Sequence, residues 1–226
     1  SLIDLPNFDA YGCSVTSVII SVLQVMACTG LGTLVLYLSG LNHRWSFGLR
    51  LCICFAIGLG AIGWLVYILG IAGLLGEVFL WTLLIICSLG LGLTSLKSFS
   101  EAPEQLDLIT LGLLVCLTLV LGFDLLEGLS PAIDGDTLAY HFTLARQFVV
   151  SGGVFFQPVA FSGAIPLLVH MTYAAAFSLG QELGLTLWVF VTGWGVAVLL
   201  FTVARRWISD GWSISLVLLF MTMPAT

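Results

Sequence analysis

Charge is what this chain lacks. Of its 226 residues only 8% are Asp, Glu, Lys or Arg, while 60% are hydrophobic. A soluble domain carries about 25% charged residues, so too few ionic side chains exist to coat a water-facing surface. That shortage excludes a soluble domain, a disordered chain and a charged coiled coil, and it leaves hydrocarbon as the solvent for most of the sequence. Basic residues are the scarcest. Six Lys and Arg stand against twelve Asp and Glu, a net charge of -6, which is the wrong sign for gripping a phosphate backbone. Nucleic acid is excluded as a partner.

A disulfide framework is also missing. Cys28, Cys52, Cys54, Cys87 and Cys116 lie inside apolar runs, where cysteine behaves as a small hydrophobe. Cys52 and Cys54 are two apart, and helix neighbours point about 100° apart per residue, so no metal or redox pair is expected there, and no second ligand pair follows. Cys13 has no evident partner. A secretory leader is not expected either. Residues 1–10 contain Asp4 and Asp9 with no basic residue, and the apolar run that follows is too long. The first residue is Ser1, which suggests processing or trimming.

What is present is a succession of apolar runs. Crossing the hydrocarbon takes about 20 apolar residues. The candidates are Ser14–Leu41, Phe47–Leu75, Glu77–Leu96, Leu106–Phe123, Ala164–Gly180, Leu185–Ala204 and Trp212–Met223. Glycine is frequent, as it is where membrane helices approach closely, and Gly58, Gly60 and Gly63 are expected to line one such contact.

Basic residues near the ends of spans mark the cytoplasmic side. Arg44 and Arg50, Lys97, and the Arg205–Arg206 pair all fall inside if the N-terminus is outside and Ala164–Gly180 does not cross. That run is the least convincing span, about 25 Å as a helix, with Pro166 near its start and His170 within it. It reads as a helix lying in the outer interface. The expected fold is therefore an all-α polytopic membrane protein with about six transmembrane helices and two interfacial helices in an outer loop. Three spans occupy residues 1–105, and the outer loop covers 124–184 within a second portion, 106–226.

The outer segment concentrates the polar chemistry. It holds Asp124, Glu127, Asp134 and Asp136, and also Arg146. A long polar loop in so apolar a chain is the default place to look for function. From Asp136 the pattern is helical. Leu138, Phe142, Ala145 and Val149 form an apolar stripe, while Asp136, Tyr140, Thr143 and Gln147 form a polar one. This predicts an amphipathic helix on the membrane surface, ended by Ser151-Gly152-Gly153. Asp134 and Asp136 serve equally well as N-caps. Arg146 fits an acid or a lipid headgroup, and His141 and His170 fit interfacial packing.

Asp136-Thr137-Leu138-Ala139-Tyr140-His141 follows a span and opens an outer helix. Pro166-Leu167-Leu168 opens a second, and Glu182, a span and Ala204-Arg205-Arg206 come after it. In order and spacing this resembles the bacterial membrane glycosyltransferases of the GT-C fold, in their protein-mannosyltransferase-like and aminoarabinose-transferase-like branch, over roughly residues 106–226. The resemblance implies a polyprenyl-phosphate-linked sugar donor and a catalytic Asp at the position of Asp136; no residue is assigned as a metal ligand and no resident cofactor is expected, with metal dependence left open by the sequence. It also implies substrate-binding roles for Asp134, Tyr140, His141 and Arg146, with membrane lipid and the lipid-linked donor as partners. Its setting would be the bacterial inner membrane. Thr137 stands where many relatives have Glu. Gly163-Ala164-Ile165 stands where many have a Lys before the Pro-Leu pair, which leaves Arg146 as the local cation. Relatives continue past the equivalent of Pro224, so a piece of a longer enzyme is expected.

Two other classes fit the composition. A non-enzymatic transmembrane subunit, packed beside other membrane chains, needs only helices and interfacial anchors such as Trp45, Trp64, Trp81 and Trp212. A transporter is disfavoured because no charge falls near the middle of a span.

Overall fold

The computed structural model describes residues 8–41, 45–93, 107–131, 141–155 and 168–223. Among them every element is helical: α1 (Phe8–Leu38), α2 (Phe47–Ile71), α3 (Glu77–Ser88) continued by a 3₁₀ stretch (Leu89–Leu93), α4 (Leu108–Gly128), α5 (Phe142–Ser151), α6 (Leu168–Ala204) and α7 (Asp210–Thr222). Four of these helices, α1, α2, α4 and α6, are long and apolar enough to cross a membrane, and α3 with its extension and α7 are shorter apolar helices. The protein is thus an all-helical, multi-pass membrane protein.

The first pair is held by missing side chains. A methyl on Gly58 of α2 would overlap the Cys28 carbonyl of α1, and one on Gly32 would overlap that of Cys54. The two helices therefore run antiparallel with their backbones in contact, as small residues permit. Gly63 belongs to a different contact, against the Leu168 carbonyl, and Gly60 meets nothing within 4 Å. The expected single glycine seam is two separate ones. Gly30 and Gly90 bring α1 against the end of α3 in the same way. Cys54 is buried at this seam while Cys52 is only partly covered, and both thiols are free, so the two-residue spacing separates them as expected.

The apolar run expected to stop at Phe123 continues as helix to Gly128, so Asp124 and Glu127 are helical and not part of a loop. Asp107 starts α4 by accepting the Thr110 amide at 3.0 Å, and that bond holds its carboxyl below the usual range. Near the other end Trp194 donates its indole N–H to Asp124 Oδ2 at 3.0 Å. A carboxylate with a donor can remain in an apolar helix, which the hydrophobic pattern alone did not show.

The largest departure from expectation is α6. It reads as one 37-residue helix, but Gln181 has φ 55° and ψ -155°. The chain reverses there. Trp188 Nε1 donates to Thr172 Oγ1 at 3.0 Å, although residues 16 apart in a straight helix lie about 24 Å apart. Gly184 stands against the Ala176 carbonyl. Both pairs are centred on residue 180, so 168–180 and 182–204 form an antiparallel hairpin.

The first limb does not lie flat in an interface as expected from its length and Pro166. His170, Met171, Thr172, Ala174, Ala175, Ala176, Ser178 and Gly180 are buried. Gln24 Nε2 donates to the Thr172 carbonyl at 3.2 Å, and Ser17 Oγ donates to that of Gly180 at 2.9 Å. Seven residues of α1 match eight of the limb, which therefore runs along α1 in the opposite sense. Its many small residues explain the choice. They bury little against lipid but allow close helix packing. Its described residues extend for about 20 Å. The second limb, at about 34 Å, is long enough to cross.

The ends of the bundle differ in charge. Gly48, two residues before Arg50, sits beside Thr202, three before Arg205, so Arg50, Arg205 and Arg206 share one end. Arg50 is buried with its guanidinium over the Phe47 ring, and Arg205 pairs with Asp210 at 3.4 Å. The reversal at Gln181 and the α2–α3 turn lie at the opposite end.

Candidate functional site

The opposite end carries α5. Gly152 terminates this helix in the left-handed region, at φ 71°, where glycine bears no side-chain penalty. Its position matches the stop read from Ser151-Gly152-Gly153. The end is tied to α2: Val154 N–H donates to the Gly70 carbonyl at 2.9 Å and Leu75 N–H to that of Gly152 at 3.3 Å. Two short turns thus fix the tail of α5 to the rim of the bundle.

The covered face of α5 is Leu144, Ala145 and Phe148, turned by about one residue from the expected stripe. Phe142 and Val149 are only half-buried, and Leu138 lies outside the described residues. The rotation has a cause: this helix rests on the first limb of α6, with Phe142 edge-on to Tyr173 at 6.4 Å. Protein, not lipid, chose its inner face. Arg146 and Gln147 point away from that contact, and Arg146 joins Thr143, Gln147, Val150, Ser151 and Phe155 around an open concavity of about 600 Å³.

His141, immediately before α5, meets His170 of the first limb. Their rings lie edge to edge and nearly coplanar, 4.8 Å between centroids and 13° between planes, and His141 Nδ1 lies 2.6 Å from His170 Nε2. His170 is 3% exposed, and its second nitrogen, Nδ1, has no hydrogen-bond partner among the described residues. Tyr173 stands edge-on to His170 at 5.9 Å. The neighbouring Thr172 is shared by Gln24 and Trp188, so a polar knot joins α1, both limbs of α6 and the entry to α5. Gln24 Oε1 in that knot is likewise buried without a partner among the described residues.

Of the residues expected to form the site, His141 and Arg146 are described and lie about one and a half turns apart on one element. Asp134, Asp136 and Tyr140 lie outside the described residues. His170, Gln24, Thr172 and Trp188 were not singled out for function. The available signal was polarity within apolar helices, because a polar side chain there faces the protein interior. Among the described residues no three of His, Cys, Asp and Glu gather as metal ligands would.

No family model matches this chain, and neither a curated protein nor a solved structure does so. The functional reading rests on sequence motif and site geometry.

Proposed function

We propose that the protein is a bacterial inner-membrane glycosyltransferase of the GT-C type, transferring a sugar from a polyprenyl-phosphate donor to an acceptor on the non-cytoplasmic face. One observation supports it above the others. Arg146 lines an open concavity on α5, whose tail is tied to the bundle end opposite Arg50, Arg205 and Arg206 and whose entry residue, His141, is the last of the Asp136–Tyr140–His141 motif. That is where a lipid-anchored donor would present its headgroup.

Arg-rich ends face the cytoplasm, so the N-terminus is outside. The crossings are α1, α2, α3 with its 3₁₀ extension, α4, the second limb of α6, and α7. Asp136 acts as general base. It takes the acceptor hydroxyl proton as that oxygen bonds to the anomeric carbon and the carbon–phosphate oxygen bond breaks, and such assistance gives about 10²–10⁴-fold. Arg146 meets the departing lipid phosphate, where a fixed cation lowers the barrier. Asp134, Tyr140 and His141 orient donor and acceptor.

The test is transfer from radiolabelled polyprenyl-phosphate hexoses and pentoses by membranes carrying the full-length reading frame. Asp136→Asn is expected to abolish it, and unchanged transfer by that variant rejects the assignment. A non-catalytic subunit is the second reading. It is favoured by α4, whose Leu108, Ile109, Phe123 and Leu126 are all exposed and offer a face to another chain. Stable copurification of a membrane partner, with no turnover of any donor by the wild-type, would decide for it.

A further inference from the structure

Helix α4 packs on α7 and on the second limb of α6, but the three do not close on one another. Between them lies a groove of about 140 Å³, lined by Leu114 and Leu117 of α4, Ala197 and Phe201 of α6, and Ile214 and Val217 of α7. Trp194 borders it too, with its indole N–H already given to Asp124, so the described walls are apolar. Close-packed interiors leave few voids of this size, and an empty one forfeits the dispersion contacts of its walls. Water needs polar partners that this groove does not supply. Hydrocarbon fits. Along the helix axis Phe201 is about 8 Å and Trp194 about 18 Å from Arg206, and the hydrocarbon of one leaflet is about 15 Å deep. The groove therefore stands at the depth of an acyl chain whose headgroup is level with Arg206. Trp207 and Trp212, both strongly exposed, mark the same headgroup level, where tryptophan collects.

The mouth of the groove carries charge. Arg205 lies over the Phe201 ring, 5.6 Å from its centroid, and pairs with Asp210 at the start of α7. Asp107, at the start of α4, accepts the Thr110 amide, and Thr110 stands beside Gly211 of α7. Both carboxylates at this mouth thus have partners. Arg206 is exposed and in no ion pair among the described residues, so the charge left to be matched is positive. We propose that the groove and Arg206 form a binding site for one anionic diacyl phospholipid, its phosphate on Arg206 and one acyl chain lying between α4, α6 and α7. A cation at the membrane surface favours an anionic lipid, and the chain supplies the packing that side chains leave out. The lipid would join α4 to the rest of the bundle, as direct backbone contact joins α1 to α2. This site goes beyond the glycosyltransferase reading, whose donor meets the opposite end of the bundle.

The experiment is native mass spectrometry of the detergent-extracted protein, stripped of loosely held lipid and offered dioleoylphosphatidylglycerol or dioleoylphosphatidylcholine. One phosphatidylglycerol should stay bound through washing that removes the choline lipid. Arg206→Gln is expected to lower that retention about fivefold, the effect of one interfacial cation on an anionic lipid. Ala197→Leu places a larger side chain in the groove and should abolish retention of either lipid. Dihexanoylphosphatidylglycerol has the same headgroup on chains too short to fill the groove, and it should not be retained. Should Ala197→Leu fail to fold, this comparison of chain lengths decides whether the groove holds an acyl chain. The proposal is overturned if no lipid is retained, or if the glycerol and choline lipids are retained equally. It is also overturned by full retention in Arg206→Gln or in a folded Ala197→Leu, or by a dihexanoyl lipid held as firmly as the dioleoyl one.

Discussion

Trp188 donates its indole N–H to Thr172 Oγ1 at 3.0 Å, across sixteen residues of what reads as one helix. Trp188 and Thr172 are both wholly buried, so neither group has water as an alternative partner. Removing Thr172 strands the indole N–H, whereas without Trp188 the Thr172 hydroxyl still donates to the Val169 carbonyl at 2.7 Å but loses its donor. Trp188→Phe and Thr172→Val should each destabilise the protein, and the double variant should cost less than their sum by about 1 kcal/mol. Unfolding in mixed detergent micelles measures this. Strict additivity would mean that the two side chains do not meet and that the hairpin is wrong.

The reversal itself is strained. Gln181 holds a positive φ with extended ψ, a region essentially reserved for glycine, and a side chain there costs about 1–3 kcal/mol. Gln181 is exposed. Gln181→Gly should therefore raise the midpoint of thermal unfolding by roughly 2–4 °C, whereas Gln181→Val should lower it. A lower midpoint for the glycine variant would mean that residue 181 continues the helix.

Glycines that look alike in sequence should respond with opposite signs. Gly58 and Gly60 are two apart in α2, yet Gly58 touches the α1 backbone and Gly60 touches nothing. Gly58→Ala should cost about 1–3 kcal/mol, since a backbone carbonyl cannot move aside as a side chain can. Gly60→Ala should be neutral or gain up to about 1 kcal/mol from helix propensity. Equal responses, read by the same unfolding assay, would remove the glycine seam from the account of why α1 and α2 pair.

These contrasts mark how far the sequence could be read. Long apolar runs placed α1 and α2 to within a few residues, because hydrocarbon thickness sets helix length and little else competes. Gly152 was legible as a stop because a local backbone rule governs it. Asp124 was misplaced into a loop because its partner Trp194 is seventy residues away, and periodicity does not report such a partner. The limb 168–180 was misread for the same reason. Its length and proline pointed away from a span, but a short helix buried inside a bundle and one floating on a surface have the same length. Their difference lay in composition: Ala174-Ala175-Ala176 and Gly180 are suited to packing on protein, not on lipid. The pairing of His141 with His170 needed the folded chain, since it follows from two helices meeting.

Arg146 separates a structural role from a chemical one. It is exposed on α5, lines the open concavity, and has no ion pair among the described residues. An exposed residue outside any network changes stability by about 0.5 kcal/mol or less when replaced. Arg146→Gln should therefore leave the unfolding midpoint where it is. If the concavity receives a lipid phosphate, the same substitution removes a charge-assisted hydrogen bond, worth about 1.5–3 kcal/mol. The KM for a polyprenyl-phosphate sugar should rise at least tenfold. Arg146→Lys should recover part of that loss, because it keeps the charge but not the two-pronged geometry. A variant that melts as the wild-type does and binds donor equally well would exclude Arg146 from the site. The phosphate would then have to be met by a cation elsewhere on the rim.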